Sequence, residues 1–213
     1  ASGSCTDVAG NVGTLAEASG INIDKSAPTA SATVESLPGE SGWHTSDVTV
    51  SFSGDDDLSG IGFCDEDAHL TEDGAGQSVS GTCTDKAGNV SDAATADDID
   101  IDQTPPTVMA SLSPEANANG WHNGDVTISF SGEDSVSGVN SCDDAVVLTD
   151  EGAGQAASGS CTDVAGNVSA PLISSEINID KTAPTASATV ESEPGASGWY
   201  TSDVTVSFSG DDV

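Results

Sequence analysis

The sequence predicts an all-β protein built from tandem antiparallel β-sandwich repeats. Its motifs recur every 78 residues without a gap, so that Cys5, Cys83 and Cys161 occupy one position in successive copies. A period of this length exceeds that of the usual solenoids and is large enough for a unit with its own core. Apolar and polar residues alternate along short segments, and helical periodicity is absent. These observations favour an array of small β domains.

The 78-residue frame divides the chain into two complete repeats and two partial ones. The complete repeats are residues 26–103 and 104–181, residues 1–25 correspond to the C-terminal part of a repeat, and residues 182–213 to its N-terminal part. Because the single Met lies at position 109 and the first residue is Ala, we expect the chain to be a window on a longer array. Proline just after a strand, as in IDKSAPT, marks each junction.

Each repeat contains several segments with the pattern of short strands. Val48, Val50 and Phe52 would share one face of a half-buried strand, with polar side chains on the other face. Further strands are predicted at 29–36, 60–64, around Leu70, at 77–84 and at 90–102, separated by Gly, Pro, Ser and Asp clusters. The last segment is compatible with one long strand or with two. Trp43, which recurs in every copy, is expected in the core.

The charge of the chain limits its partners. It has 36 acidic residues against three lysines or arginines, which gives a net charge of −33. Nucleic acid binding needs a basic face, so we expect no nucleic acid partner. We also expect no membrane insertion, because no run is long and apolar enough to span a bilayer. A folded chain this acidic needs bound cations or saline surroundings.

The cysteine spacing predicts one disulfide in each complete repeat. Cys64 precedes Cys83 by 19 residues, Cys142 precedes Cys161 by the same interval, and Cys5 has no partner within the chain. Free buried thiols are the alternative, whereas a zinc site would lack two of its four ligands. Paired cysteines in a small repeated unit indicate an oxidising, extracellular location.

Acidic loop residues that recur with the repeat are candidate calcium ligands. Clustered carboxylates repel one another unless a cation bridges them, and hard oxygen ligands suit calcium. The candidates are Asp55, Asp56, Asp57, Glu133, Asp134 and the junction residues Asp102 and Asp180; Asp24 recurs at the same junction position. In the TDxAGN motifs, Asp85, Asn89, Asp163 and Asn167 either form a turn or contribute to a metal site. A salty habitat is the alternative explanation of the acidity.

Asn89 and Asn167 also begin Asn-Val-Ser sequons and are therefore candidate N-glycosylation sites. The competing interpretation is that each asparagine only serves its turn.

No enzyme activity is expected. His44 and His122 give way to Tyr200 in the last copy, an exchange that a metal ligand or general base would not tolerate. A half-exposed ring beside the repeat tryptophan is the simpler interpretation. No nucleophile elbow or phosphate-binding loop is present.

The ordered motifs DKTAPT, GWY, DVTV, EGAGQ and TDVAGN resemble those of bacterial immunoglobulin-like repeats in large secreted and cell-surface proteins. The resemblance covers the entire chain. It implies an immunoglobulin-like sandwich and a role in a stalk, adhesin, sheath or fibre.

These observations predict an extracellular or cell-surface structural protein. Its repeats would form an elongated rod or fibre stabilised by disulfides within each repeat and by calcium, and its partners would be neighbouring repeats or copies of itself. The alternative is an adhesin region whose repeats bind glycans or a surface receptor. A binding face of that kind should carry grouped exposed aromatic residues, and the sequence has few.

Overall fold

The computed structural model describes residues 1–212, which form strands, turns and irregular segments without any helix. The chain divides into two compact units, residues 1–104 and the part that begins at Pro105. The same strand pattern occurs in both units. The prediction of an all-β protein with repeating units of about 78 residues is confirmed.

The strands of the first unit are β1 (Ser2–Gly3), β2 (Ala16–Glu17), β3 (Thr29–Val34), β4 (Trp43–His44), β5 (Val48–Asp55), β6 (Ile61–Cys64), β7 (Ala68–Leu70), β8 (Gly74–Gly81), β9 (Cys83–Asp85) and β10 (Ala94–Ile101). Those of the second unit are β11 (Thr107–Ser113), β12 (Trp121–His122), β13 (Val126–Glu133), β14 (Val139–Cys142), β15 (Val146–Leu148), β16 (Gly152–Gly159), β17 (Cys161–Asp163), β18 (Leu172–Ile179), β19 (Thr185–Val190) and β20 (Val206–Asp211).

Each complete repeat has two three-stranded sheets and one two-stranded ladder. In the first unit the strand orders are β3–β5–β7, β4–β10–β8 and β6–β9. The second unit repeats them as β11–β13–β15, β12–β18–β16 and β14–β17. The pairs are antiparallel except that β4 runs parallel to β10, and β12 to β18. The sheets are therefore mixed at one edge, where the sequence suggested purely antiparallel pairing.

The core of the first unit lies between β5 and β10. Val48 and Val50 of β5 pack with Ile99 and Ile101 of β10, and all four side chains are buried. Partly buried residues surround them: Ala32, Val34, Phe52, Leu70, Val79 and Ala96. The second unit has the equivalent cluster of Val126, Ile128, Ile177 and Ile179. Each such side chain stabilises its unit by about 1.5–3 kcal/mol relative to an exposed position.

The segment 90–102 contains one strand, β10, which has an irregularity. Val90 makes only an isolated bridge to Thr84, and β10 follows. Between Ala96 and Ile99 the register with β8 shifts, and Asp98 adopts a φ of 53°. Because the inserted residue moves the alternation by one position, Ile99 can face the core as Ala96 does. A strictly alternating pattern does not reveal this change of phase.

Two glycines permit a close approach between strands and aromatic rings. A Cβ added at Gly81 would lie 2.7 Å from the ring of Phe52, and one at Gly159 would lie 2.5 Å from the ring of Phe130. No real side chain tolerates such a distance. The end of β8 therefore has to be glycine so that the aromatic ring of β5 can pack over its backbone.

The prediction that the repeat tryptophan belongs to the core is wrong. Trp43 is half-buried, Trp121 is exposed, and the side chain of Trp199 is 77% exposed. Adjacent residues of a strand point to opposite faces, and in β4 it is His44 that faces inward.

The prediction of half-exposed histidine rings is wrong for the same reason, because His44 and His122 are both buried. Ser36 Oγ lies 3.4 Å from His44 Nδ1. Pro114 takes the place of Ser36 in the second repeat, and His122 Nδ1 has no hydrogen-bond partner among the described residues. The side-chain hydroxyl that lies beside His44 is therefore absent beside His122.

Disulfides join directly facing residues of neighbouring strands. Cys64 of β6 is the register partner of Cys83 in β9, and the two are bonded. Cys142 and Cys161 form the equivalent bond between β14 and β17. Cys5 is free and exposed. Two disulfides in a chain of this size indicate an oxidising environment.

Candidate metal centre

Three aspartates of the first unit come together: Asp24, Asp56 and Asp85. One carboxylate oxygen from each lies within 4.8 Å of the others. Asp24 belongs to the junction segment before β3, Asp56 directly follows β5, and Asp85 ends β9. The group therefore joins the junction segment to two separate parts of the sandwich, and we call it the aspartate triad.

Asp56 is oriented by the loop that it begins. Its Oδ1 accepts hydrogen bonds from the backbone N–H groups of Leu58 (3.2 Å), Ser59 (2.8 Å) and Gly60 (2.7 Å). Aspartate often bonds the backbone two to four residues ahead in such turns. In the second unit, Asp134 accepts equivalent bonds from Val136 and Gly138.

Asp24 links the junction segment to the same loop. Its Oδ1 accepts a hydrogen bond from the N–H of Ser26 (2.9 Å), and its Oδ2 accepts one from the N–H of Ser59 (3.0 Å). The bond from Ser26, followed by those from Ser59, lowers the pKa of Asp24, and the nearby charge of Asp85 opposes that shift. The Asp24 carboxylate is therefore ionised at neutral pH.

Asp85 makes the turn of the TDxAGN motif. The backbone N–H of Asn89 donates to Oδ1 (2.8 Å), and Asn89 Nδ2 donates to Oδ2 (2.7 Å). Burial by itself raises the pKa of Asp85, but these bonds from Asn89 outweigh it, and the pKa is lowered. The same residue thus closes its turn and supplies a second ionised carboxylate to the aspartate triad.

The second unit repeats this arrangement. Asp134 and Asp163 correspond to Asp56 and Asp85, and their carboxylate oxygens lie within 4.8 Å. Asp163 accepts hydrogen bonds from the backbone and from Nδ2 of Asn167, at 2.7 and 2.8 Å. In sequence, Asp102 is the counterpart of Asp24; it is buried, and its carboxylate accepts a bond from the N–H of Thr104.

Several predicted ligands lie outside these groups. Among residues 1–212, neither the aspartate triad nor the pair of Asp134 and Asp163 includes Asp55, Asp57, Glu133 or Asp180. Asp55 and Glu133 are still part of β5 and β13. Only Asp56 and Asp134 begin the shared pattern Asp-x-x-Ser-Gly, whereas Asp57 corresponds to Ser135. That pattern would have distinguished Asp56 within the run of three aspartates.

The residues of the aspartate triad fit a hard divalent cation. Three carboxylates supply the oxygen ligands that calcium and magnesium prefer. Within the described residues 1–212, no lysine or histidine forms a salt bridge with any of the three. Asp24 and Ser59 also line an open groove of about 680 Å³, together with Lys86. Unless a cation binds, the mutual repulsion of these charges costs stability.

The structure assigns other roles to the residues of the sequons. Nδ2 of Asn89 donates to Asp85, and Nδ2 of Asn167 donates to Asp163. Ser91 Oγ accepts a hydrogen bond from the N–H of Cys83 at 2.9 Å, as Ser169 does from Cys161. The asparagine of each sequon therefore serves its turn, and the serine holds the disulfide-bonded strand. N-glycosylation stays a prediction.

No protein-family model matches the chain, and no curated protein sequence matches it either. The two units are similar tandem β domains by their own strand pattern. Within residues 1–212, no helix has the length and apolar character that crossing a membrane requires.

Proposed function

We propose that the chain is part of an extracellular structural protein, in which immunoglobulin-like repeats in tandem form a fibre, filament or stalk. The observation that carries this proposal is the repetition of one self-sufficient unit. Each complete repeat has its own apolar core and its own disulfide, with the same strand register. Adding such units lengthens an array without changing the structure of any unit. The repetition is therefore suited to a protein whose role depends on its length.

A deletion of one period tests the mechanical role. Removing residues 104–181 keeps the frame, because Thr182 then follows Gln103 as Thr104 does in the full chain. In an extended array the longest dimension is proportional to the number of repeats, so we expect it to fall by about 35%. A compact globule would shrink by only about 15%, because its radius grows as a weak power of length. Small-angle X-ray scattering at low concentration distinguishes these results, and the smaller decrease would contradict the proposal.

The aspartate triad supports a second part of the proposal, that calcium stiffens the junction. Asp24 comes from the segment that precedes the sandwich, and Asp56 and Asp85 come from the sandwich itself. Calcium accepts irregular sets of six to eight oxygens and retains water in the open positions, whereas magnesium demands a near-ideal octahedron. A bound calcium ion would offset two of the three carboxylate charges and hold the junction segment against the two loops.

Asp56→Asn should weaken calcium binding at the aspartate triad while leaving the fold intact. The amide oxygen still accepts the loop hydrogen bonds, but one ligand charge is lost. Because affinity follows ligand charge, we expect Kd to rise about tenfold or more. The measurement is calorimetric titration in a background with Asp134→Asn, which removes the equivalent carboxylate of the second unit.

Asp57→Asn is the matched control, since it removes the same charge one residue away and outside the aspartate triad. It should leave Kd within about twofold, because exposed charges at a distance are screened. An equal loss in both variants would indicate diffuse attraction of counterions in place of a site. The absence of calcium binding by the unaltered chain at low ionic strength would also contradict the proposal.

The adhesin alternative stays a prediction. Trp121 is exposed and lines a groove with Glu151 and Asp180. Aromatic and acidic side chains together are suited to carbohydrate, and glycan binding by the chain compared with its Trp121→Ala variant would test this function.

A further inference from the structure

The second repeat contains two Asn-Gly pairs that the first repeat lacks. They are Asn119-Gly120 and Asn123-Gly124, and the first repeat has Ser41-Gly42 and Thr45-Ser46 at the corresponding positions. In an Asn-Gly pair, the backbone nitrogen of the glycine can attack the side-chain amide carbon of the asparagine and displace ammonia. The reaction requires a free nitrogen and a side chain that can turn toward it, so the local structure decides whether it proceeds.

The pair Asn119-Gly120 belongs to a closed turn. The N–H of Gly120 donates to the carbonyl oxygen of Asn117 at 2.9 Å, and the carbonyl oxygen of Gly120 accepts a hydrogen bond from Asn178 Nδ2 at 3.2 Å. Asn117 Oδ1 also accepts bonds from the N–H groups of Asn119 (2.9 Å) and Trp121 (3.1 Å). The nitrogen of Gly120 therefore becomes available for attack only when the turn opens.

The pair Asn123-Gly124 lies in the open connection between β12 and β13. Asn123 is exposed, and its side chain forms no hydrogen bond within residues 1–212. The N–H of Gly124 has no acceptor in that part of the chain either. A Cβ added at Gly124 would meet no atom within 4 Å. Both reacting groups are therefore free to move toward each other.

The other asparagines are less suited to the same reaction. Valine or isoleucine follows five of them, and a β-branched side chain crowds the attacking nitrogen; these are Asn11, Asn22, Asn89, Asn167 and Asn178. Asn117 is held by its turn, and Asn140 lies in the paired strand β14. Among the described residues, Asn123 is the asparagine that combines a following glycine with a nitrogen held by no hydrogen bond.

We propose that Asn123 is a site of spontaneous deamidation. The nitrogen of Gly124 bonds to Cγ of Asn123, the bond from Cγ to Nδ2 breaks, and a five-membered succinimide forms. The proton of the Gly124 N–H passes through solvent to the departing nitrogen, which leaves as ammonia. Water then opens the ring at one of its two carbonyl carbons and gives either aspartate or isoaspartate. One water molecule is consumed for each ammonia released, and no atom is oxidised or reduced.

The conversion changes the second unit in two ways. It adds a negative charge two residues before Asp125, the salt-bridge partner of Lys181. The isoaspartyl product also adds a backbone carbon to the connection between His122 and Val126, which are both buried. Since β12 is held by only two register pairs with β18, the longer connection weakens this pairing and lowers the stability of the unit.

This proposal goes beyond the proposed structural role and does not depend on it. The reaction requires only the loop between β12 and β13 and water. A chain with another function would deamidate in the same way, and a chain with an intact Asn123 could still be part of a stalk. The two proposals can therefore fail separately.

Ageing of the full chain in mildly alkaline buffer tests the proposal. Cleavage after Glu115 and Glu133 releases residues 116–133, a single peptide that contains both Asn-Gly pairs. Tandem mass spectrometry should locate the conversion of amide to acid at Asn123 and find Asn119 intact. In a chain kept unfolded by denaturant, both asparagines should convert, because the turn that protects Asn119 is then lost.

Three variants, each with the residue of the first repeat, separate Asn123 from its surroundings. Asn123→Thr should abolish the reaction in the folded chain. Gly124→Ser should slow it severalfold, because a side chain at this position crowds the nitrogen. Asn119→Ser is the matched control, and it should leave the rate at Asn123 unchanged.

Denaturant unfolding of fresh and aged samples measures the effect on the second unit. Trp121 fluorescence in a Trp43→Phe and Trp199→Phe background reports on that unit. The aged chain should unfold at a lower denaturant concentration than the fresh chain, and the same chain with Asn123→Thr should show no such loss.

Three results would contradict these expectations. If the Asn123 amide stays intact in the folded chain for as long as the unfolded chain needs to convert, the site does not react and the proposal is overturned. Equal conversion of Asn119 and Asn123 in the folded chain would overturn it as well, because the closed turn would then give no protection. An unchanged unfolding midpoint after full conversion would overturn the effect on β12.

Discussion

Ile101→Ala should lower the free energy of unfolding of the first unit by about 3 kcal/mol, the usual cost of removing a large side chain from a tightly packed core. Ile101 is fully buried in β10, where it packs with Val48 and Val50 of the facing sheet. Its removal exposes no polar group, so the whole loss comes from apolar contacts and from the cavity that remains.

The repeat supplies a matched control in Ile23→Ala. Ile23 occupies the same position one period earlier but is largely exposed, so its replacement should change the stability by less than about 0.5 kcal/mol. Denaturant unfolding, followed through Trp43 fluorescence in a Trp121→Phe and Trp199→Phe background, reports on the first unit. Equal losses in the two variants would contradict the assigned core.

The alternating segments could be predicted because they depend on local pattern. Val48, Val50 and Phe52 lie on one side of β5 as the sequence indicates, because side chains in a strand point alternately to its two faces. The same rule places Trp43 and His44 on opposite faces but does not say which face is inside. That choice depends on the parallel pairing of β4 with β10, a contact between residues far apart in sequence.

The candidate site shows the same division between local and distant information. The sequence indicates that the loop after β5 is acidic, and the recurrence of Asp24 and Asp85 is visible in it. The shared pattern Asp-x-x-Ser-Gly distinguishes Asp56 within the aspartate run, but the sequence does not reveal that Asp24 and Asp85 lie beside it. The hydrogen bond from the N–H of Ser59 to Asp24 orients that loop, and it joins residues 35 positions apart. Composition and the repeated pattern therefore predict an acidic cation site, but only the fold shows which aspartates come together.

The change of phase in β10 is a further feature that the sequence alone could not predict. Ala94 and Ala96 follow one alternation, Ile99 and Ile101 follow another, and Asp98 lies between them with a positive φ. The apolar pattern alone is compatible with two strands or with one bulged strand. Pairing with β8 along the whole length selects the second possibility.

Replacing both Cys64 and Cys83 by Ala should destabilise the first unit by about 3 kcal/mol, the entropy that a cross-link of this loop length removes from the unfolded chain. The bond closes a separation of 19 residues that includes β7 and β8. The strands that it joins are short, and β9 is held otherwise by its pairing with β6 and by Ser91. A unit of this size has a small core, so the loss is a large part of its total stability.

Cys5→Ala is the control for that experiment, because Cys5 is free and exposed and its removal should leave the stability unchanged. Both variants are measured by denaturant unfolding of the first unit. If the double variant is as stable as the parent, one of two explanations must hold. Either the unfolded chain between Cys64 and Cys83 is equally restricted without the disulfide, or the β6–β9 pairing needs no cross-link. The disulfide would then not be what makes each repeat self-sufficient, and the argument for a mechanical array would have to rest on the apolar core alone.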